Sequence, residues 1–189
     1  MTIGGDAINE ATIISRLGHS TRLVSYIGND AAGQQILEHC KRNGINTDYV
    51  KVDPEATTAI NIGLVRPNGE RIYISNRSGT TWKFSLSDID ISAISNAKLL
   101  SFASIFNSPL FDNNALTILF SRAKEAGMTI CADIKEGRSG ETLDDIRGAL
   151  SYVDYFFPNY DEASKLTGKV QIEDIADIIL GCGVKTVVI

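Results

Sequence analysis

Apolar residues recur along the chain with two alternating spacings, and each spacing predicts a different element. In residues 7–17 they recur every three to four positions, which predicts an amphipathic helix ending at Gly18. The same spacing predicts further helices at 31–43, where Asp30 is the expected cap, and at 112–126, 141–153, 161–168 and 173–183. Short apolar runs predict strands at 21–28, 47–52, 99–106, 129–134, 154–159 and 185–189. This alternation of strands and helices predicts an α/β fold in which helices cover a parallel sheet.

Residues 57–77 break this pattern with a period of two. Apolar and polar residues alternate on both sides of the Asn-Gly pair at 68–69, which predicts a β-hairpin closed by a type I′ turn. A parallel α/β sheet is not connected by hairpins, so the segment is interpreted as an insertion. We therefore predict a core of residues 1–52 and 80–189 and a lid of residues 53–79.

Composition narrows the class of protein. The 189 residues are 43% hydrophobic, which is enough for a sizeable core, and 18 basic against 23 acidic residues give a net charge of −5. This acidic balance argues against broad nucleic-acid binding. The sequence has neither an 18-residue apolar run nor a signal peptide, so we expect a cytoplasmic protein without a membrane segment. Cys40, Cys131 and Cys182 form no CxxC pair and are expected to be buried free thiols.

The first candidate site is the turn Gly4-Gly5-Asp6 with Asn9, at the start of the first predicted helix. Glycines allow a ligand to approach the backbone, and Asp6 and Asn9 share one side of the helix. A carboxylate that accepts hydrogen bonds and an amide that donates and accepts them suit a polyol. The alternative is that Asp6 is only the N-cap of the helix.

A second candidate follows the strand at 154–159, where Asn159 and Glu162 have the spacing of a capping box. The structural alternative is that box alone. The functional interpretation places Glu162 near Mg²⁺, directly or through water, and Asn159 near a nucleotide phosphate.

Two further strand ends carry polar groups. Asp133 lies at the end of the strand at 129–134, and Lys135 and Arg138 follow it. These side chains could face a phosphate or a substrate, or form a solvated charged loop. Asn107 follows the strand at 99–106 and could face a ligand, or belong to a helix-initiating turn. Since the chain contains no GxxxxGK[ST] motif, any bound phosphate is not held by a P-loop.

These strand-end motifs, in this order around a hairpin, resemble the ribokinase-like, or PfkB, family of carbohydrate kinases. The resemblance extends over the whole chain. The segments that carry it are 4–9, 17–18, 27–33, the hairpin 57–77, Asp133 and 159–163.

The resemblance implies a three-layer α/β/α fold with a small antiparallel β-lid, often used for dimerisation. It implies transfer of the ATP γ-phosphoryl group to a hydroxymethyl group of a sugar or sugar acid, with Mg²⁺. The Gly-Gly-Asp turn is closer to ketodeoxygluconate-type kinases, and the lid residues Arg71 and Arg77 would then read an acidic or phosphorylated sugar. The residues implied to bind substrate are Gly4, Gly5, Asp6, Asn9, Asn107, Asp133 and Arg77; those implied to bind nucleotide phosphate are Asn159 and Lys135, and Glu162 is the implied metal residue.

The sequence also departs from the family pattern. We expect the family's opening strand before Met1, and the Gly-Ala-Gly-Asp segment with the anion hole and the catalytic Asp beyond Ile189. The chain alone is therefore expected to be inactive, with no catalytic base of its own. The alternatives are a non-catalytic sugar- or nucleotide-binding relative and a dimerisation module.

Overall fold

The computed structural model describes residues 2–69, 71–94, 96–137 and 139–189, and the backbone but not the side chain of Arg71. Arg138 and the proposed Arg71 side-chain contact therefore lie outside the described part. The chain forms two compact units, Met1–Phe84 and Ser85–Ile189. The predicted division into a core and a lid of residues 53–79 stays a prediction.

The N-terminal unit is built on a short β-α-β arrangement. Its elements are α1 (Asp6–Arg16), β1 (Arg22–Gly28), α2 (Ala31–Arg42), β2 (Asn46–Asp53), β3 (Asn61–Val65), β4 (Arg71–Ser75) and α3 (Thr80–Lys83). β1 and β2 pair in parallel. One buried cluster joins α1 to β1 and α2: Ile8, Ala11, Leu23, Cys40 and Ile45. The sequence pattern predicts an apolar face of Ala7, Ala11, Ile14 and Leu17, but only Ala11 of these is buried, while Ala7 and Leu17 are exposed. The helix is held in the unit through Ile8 and Ala11 instead.

The hairpin β3–β4 is antiparallel as predicted, with Ile62 opposite Ile74 and Leu64 opposite Ile72. The predicted type I′ turn is wrong. Such a turn needs a positive φ at residues 68 and 69, and of these two only Gly69 has one, at 88°. The Gly69 N–H donates to the Arg66 carbonyl at 2.9 Å, so Pro67 takes the second position of the turn. The proline ring fixes φ near −65°, which favours a type I turn followed by a left-handed glycine.

The C-terminal unit is a four-stranded parallel sheet in the order β5-β6-β7-β8. Its elements are β5 (Leu99–Ile105), α4 (Asn113–Glu125), β6 (Thr129–Ile134), α5 (Arg147–Leu150), β7 (Tyr155–Phe156), α6 (Tyr160–Thr167), α7 (Ile172–Leu180) and β8 (Thr186–Val187). Its most deeply buried large side chains include Leu116, Phe120, Ile130, Phe156 and Ile175.

The helix predicted at 141–153 is wrong in extent. A 3₁₀ turn at Leu143–Asp145, closed by a Thr142–Asp145 capping box, precedes the single-turn helix α5. Ile146 between them has a φ of −136°, which is outside the helical range. Gly148, a weak helix former, then lies inside the short second segment.

A buried carboxylate with two lysine partners stabilises the amino end of β7. The Asp154 side chain is only 9% exposed and pairs with Lys124 and, at 2.7 Å, with Lys185. It also accepts a hydrogen bond from the Ile130 N–H at 2.7 Å. Burial raises the pKa of Asp154, but the hydrogen bonds from Lys124, Lys185 and Ile130 outweigh it and lower the pKa to about 2.

No helix within the described residues is long and apolar enough to cross a membrane. Two of the three cysteines are buried as predicted, while Cys131 is only half-buried.

Candidate active site

The glycine turn of the N-terminal unit presents Asp6 and Asn9 at the start of α1. Gly5 is the N-cap residue and has a φ of 112°, a conformation that favours glycine. Asp6 is therefore the first helical residue, and the alternative that it is the N-cap is wrong. Both Asp6 and Asn9 are exposed, whereas Ile8 between them is buried in the core. The turn thus offers a carboxylate and an amide to solvent from a helix start that the core holds in place.

Hydrogen bonds between α1 and α2 add to this anchoring. The Thr12 hydroxyl donates to the Ile8 carbonyl at 2.6 Å and lies 2.8 Å from Nε2 of His39. The Ser15 hydroxyl donates to the Asn43 carbonyl at 2.5 Å. His39 thus joins α2 to α1 through Thr12.

A second group of predicted residues meets at the carboxyl ends of β5 and β6. Asp133 accepts a hydrogen bond from the Ser104 N–H, and the Asn107 N–H donates to the Ser104 carbonyl at 2.9 Å. The Lys135 N–H donates to the Ile105 carbonyl at 3.0 Å. Asn107, Asp133 and Lys135 are therefore held in one backbone network at this edge of the sheet.

The third predicted pair forms the capping box of α6. The Asn159 side-chain oxygen accepts from the Glu162 N–H at 2.9 Å, and Glu162 Oε2 accepts from the Asn159 N–H at 3.0 Å. An ion pair of 2.8 Å joins Lys165 of α6 to Glu136, next to Lys135. The hydrogen bond to Glu136 raises the pKa of Lys165. Through this pair, the loop after β6 and the helix after β7 lie side by side.

Arg77 lies just beyond β4 and is exposed. Its guanidinium carbon is 5.4 Å from the centre of the Trp82 ring, a cation–π distance. The indole therefore orients this cation.

Gly28 and Gly33 belong to no P-loop motif. Close backbone contacts explain why these two positions are glycine. A Cβ on Gly28 would lie 2.2 Å from the Ala56 carbonyl oxygen, and one on Gly33 would lie 2.1 Å from the Gly28 carbonyl oxygen. Asp30 caps α2 through the Gly33 N–H at 2.8 Å and accepts from the Thr58 hydroxyl at 2.7 Å. The role of Thr58 has no signal in the sequence, because it joins segments 28 residues apart.

The predicted residues therefore lie in both units: Gly4, Gly5, Asp6, Asn9 and Arg77 in the N-terminal unit, and Asn107, Asp133, Lys135, Asn159 and Glu162 in the C-terminal unit. Within the described residues, no group of three or more His, Cys, Asp and Glu side chains could hold a metal ion. A metal at Glu162 would accordingly depend on one protein carboxylate together with water or phosphate oxygens. This donor set fits Mg²⁺, which keeps several waters and binds beside substrate phosphates.

The sequence profile described as "pfkB family carbohydrate kinase" matches residues 1–189. The chain belongs to the PfkB family. The predicted family is thereby confirmed, and so is the ribokinase-like α/β fold class.

Two curated relatives illustrate how far this PfkB chain resembles known proteins. It is 30% identical to the probable chloroplastic fructokinase-6 of Arabidopsis thaliana over 131 residues, 69% of this chain and 34% of the relative. It is 32% identical to the fructosamine kinase FrlD of Bacillus subtilis (strain 168) over 100 residues, 51% of this chain and 35% of the relative. The chain thus matches about a third of the length of either relative.

Two solved kinase structures superpose over nearly all of the chain. The Arabidopsis thaliana ribokinase complexed with ribose and ATP is 25% identical with a TM-score of 0.78, covering 97% of this chain and 59% of that one. The fructokinase of Halothermothrix orenii is 26% identical with a TM-score of 0.78, covering 97% of this chain and 66% of that one.

Proposed function

We propose that the protein to which this PfkB chain belongs transfers the γ-phosphoryl group of ATP to a hydroxymethyl group of a sugar or sugar acid. The observation that carries the proposal is the family match over residues 1–189. The names of the relatives, a fructokinase and a fructosamine kinase, support a sugar as acceptor. The structural neighbour solved with ribose and ATP supports ATP as donor.

On the sugar side, we propose Gly4, Gly5, Asp6 and Asn9 as the residues that hold hydroxyl groups. The exposed Asp6 carboxylate accepts hydrogen bonds from sugar hydroxyls, and the Asn9 amide both donates and accepts them. The proposed set is completed by Asn107, Asp133 and Arg77. The Arg77 cation, oriented on Trp82, would favour an acidic or phosphorylated sugar.

On the nucleotide side, we propose Asn159 and Lys135 as phosphate contacts and Glu162 as the residue that holds Mg²⁺. When bound, this ion would offset the negative charge of the phosphates. Phosphoryl transfer depends on positioning and electrostatic stabilisation, so the chain's contribution is to hold these groups in place. The capping box supports this role because it fixes the Asn159 and Glu162 side chains against each other.

The hairpin suggests a homodimer in which the lids of two copies meet. Four apolar side chains on one face of β3–β4 are about half exposed: Ile62, Leu64, Ile72 and Ile74. A two-stranded hairpin with an uncovered apolar face is rarely stable alone, so we propose that a second copy covers it.

The decisive test is a kinase assay of the complete gene product with fructose, fructosamine, ribose and ketodeoxygluconate. We expect ATP consumption that depends on one of these sugars. The 189-residue chain by itself is expected to show none, since it contains no Gly-Ala-Gly-Asp segment. Sugar binding in a calorimeter without turnover by the complete protein would instead favour the non-catalytic alternative.

Asp6→Asn tests the sugar site. Loss of a hydrogen bond to a charged group is expected to lower kcat/KM for the sugar by about 10- to 100-fold. The matched control is Asp174→Asn, which removes an exposed acid from the first turn of α7. Equal kinetics for the two variants would contradict the assignment of Asp6.

A further inference from the structure

The end of β5 has an irregular backbone that the sequence does not predict. The pairing of β5 with β6 shifts register between Phe102 and Ile105. Within this shift Ser104 has a φ of 60°, and Phe106 has a φ of 72°. Residues with a Cβ rarely adopt such angles, so surrounding contacts must hold them there.

The contact at Ser104 comes from Asp133. Ser104 is buried, and its N–H donates to the Asp133 carboxylate across the β5–β6 pair. The Ser104 carbonyl in turn accepts the Asn107 N–H at 2.9 Å. A continuous chain of hydrogen bonds therefore runs from Asp133 through the left-handed residue to the backbone of Asn107.

We infer that Asp133 is a positioning residue for Asn107 and acts through the backbone of Ser104. It needs no direct contact with the sugar to do so. The inference rests on the proposed function for Asn107 as a substrate residue, and it replaces the sugar contact proposed above for Asp133 with the support of Asn107. The Ser104 N–H requires an acceptor at position 133, and in its left-handed conformation it faces one.

The conformational demand at residue 104 provides a specific test. Glycine adopts a positive φ without steric cost, so Ser104→Gly removes the backbone strain that the hydrogen bond to Asp133 offsets, while the N–H of residue 104 remains. In the complete gene product, Asp133→Ala is expected to lower kcat/KM for the sugar about tenfold, mainly through KM. Adding Ser104→Gly to Asp133→Ala is expected to restore part of that loss, because the strain is removed although the N–H of residue 104 has lost its carboxylate acceptor. A sugar-binding carboxylate could not be replaced in this way, so an unrescued double variant would overturn the inference.

A double-mutant cycle with Asn107→Ala gives a second criterion. If Asp133 acts through Asn107, Asp133→Ala has little further effect once the Asn107 side chain is removed. Independent, multiplicative losses would overturn the inference. If Asp133→Ala does not fold, Asp133→Leu replaces it in both tests, because leucine also removes the acceptor while filling the space of the aspartate side chain.

Hydrogen exchange separates this inference from the proposed function. The Ser104 amide of the wild type is expected to be protected, and Asp133→Ala should accelerate its exchange relative to the Ile105 amide. An unprotected Ser104 amide would overturn the inference even in an active kinase. A complete wild-type protein without sugar-dependent ATP consumption would overturn the proposed function and this inference with it.

Discussion

At the scale of single residues, helix propensity and hydrophobicity do not explain why positions 28 and 33 are glycine or why position 154 is an acid. Gly33 lies within the first turn of α2, where alanine would ordinarily be the better helix former by about 1 kcal/mol. Its Cβ, however, would lie 2.1 Å from the backbone oxygen of Gly28. The contact is with backbone and cannot be relieved by turning a side chain, so the steric effect should exceed the gain in propensity.

Gly33→Ala is therefore expected to lower the free energy of unfolding by about 2 kcal/mol, in the range typical of overpacking. Urea denaturation followed by circular dichroism measures it. Gly4→Ala is the control, since a Cβ there has no neighbour within 4 Å. A neutral or stabilising Gly33→Ala would show that the Gly28 carbonyl leaves room for a Cβ at position 33.

Asp154 makes stability depend on pH in the acid range. Its pKa in the folded chain is about 2, below the usual value of 3.8. Its charged form therefore stabilises the fold by about 2 kcal/mol above pH 4, and this stabilisation is lost as the pH falls from about 4 to 2. Asp154→Asn should remove this part of the pH dependence and lower the urea midpoint at pH 7.

The control for Asp154 is Asp144→Asn, which breaks an exposed ion pair with Arg147. Exposed ion pairs contribute little to stability, so the free energy of unfolding measured in urea should change by less than about 0.5 kcal/mol. Similar acid profiles for wild type and Asp154→Asn would show that the buried Asp154 carboxylate does not carry the effect.

At the scale of elements, the residues at the start of α6 have two possible roles: they cap the helix, or they also contact a phosphate. The box between Asn159 and Glu162 is complete, so the cap is present in any case. The two roles differ in their demand on charge. A carboxylate caps a helix as well as an amide does, but it repels a phosphate.

Asn159→Asp is expected to keep the free energy of unfolding within about 0.5 kcal/mol while raising KM for ATP about tenfold or more. Asp112→Asn at the N-cap of α4 is the reciprocal control, with the same capping chemistry outside the proposed site. Stability is measured in urea and KM in the kinase assay. An unchanged KM for ATP would show that Asn159 caps the helix without contacting a phosphate.

The elements also show which features sequence patterns can predict. Side-chain caps at Asp30 and Asn159 form where the spacing predicts them, because capping is a contact between residues two or three positions apart. The prediction of one helix over 141–153 is wrong because the spacing of apolar residues does not reveal the break in the helical backbone at Ile146. Ser104 is unpredictable for another reason: a partner on the neighbouring strand imposes its left-handed backbone, and no glycine marks the position.

At the scale of the whole molecule, the exposed apolar face of the hairpin β3–β4 is the surface on which we propose that a second copy packs. Ile62 and Ile74 lie directly opposite each other and are 56% and 55% exposed. Their place in the fold is predictable from alternation, but the partner that covers them is not, since alternation shows which face is apolar and not what packs against it.

Replacing Ile62 and Ile74 together by lysine is expected to halve the mass of the complete protein in light scattering, because like charges would face each other at the interface. Val170→Lys is the control, as it changes a side chain that is 68% exposed between α6 and α7. A wild type that already has the monomer mass would refute the dimer.

The left-handed residue at the end of β5 also bears on how relatives of this chain can diverge. Where residue 104 carries a Cβ, the hydrogen bond from its N–H to the acid at 133 also offsets the steric cost of the positive φ. Where residue 104 is glycine, the N–H remains but that steric cost is absent, so loss of the acid at 133 costs less. Glycine at 104 should therefore favour later loss of the acid at 133. In an alignment of relatives the two positions should vary as a pair although 29 residues separate them.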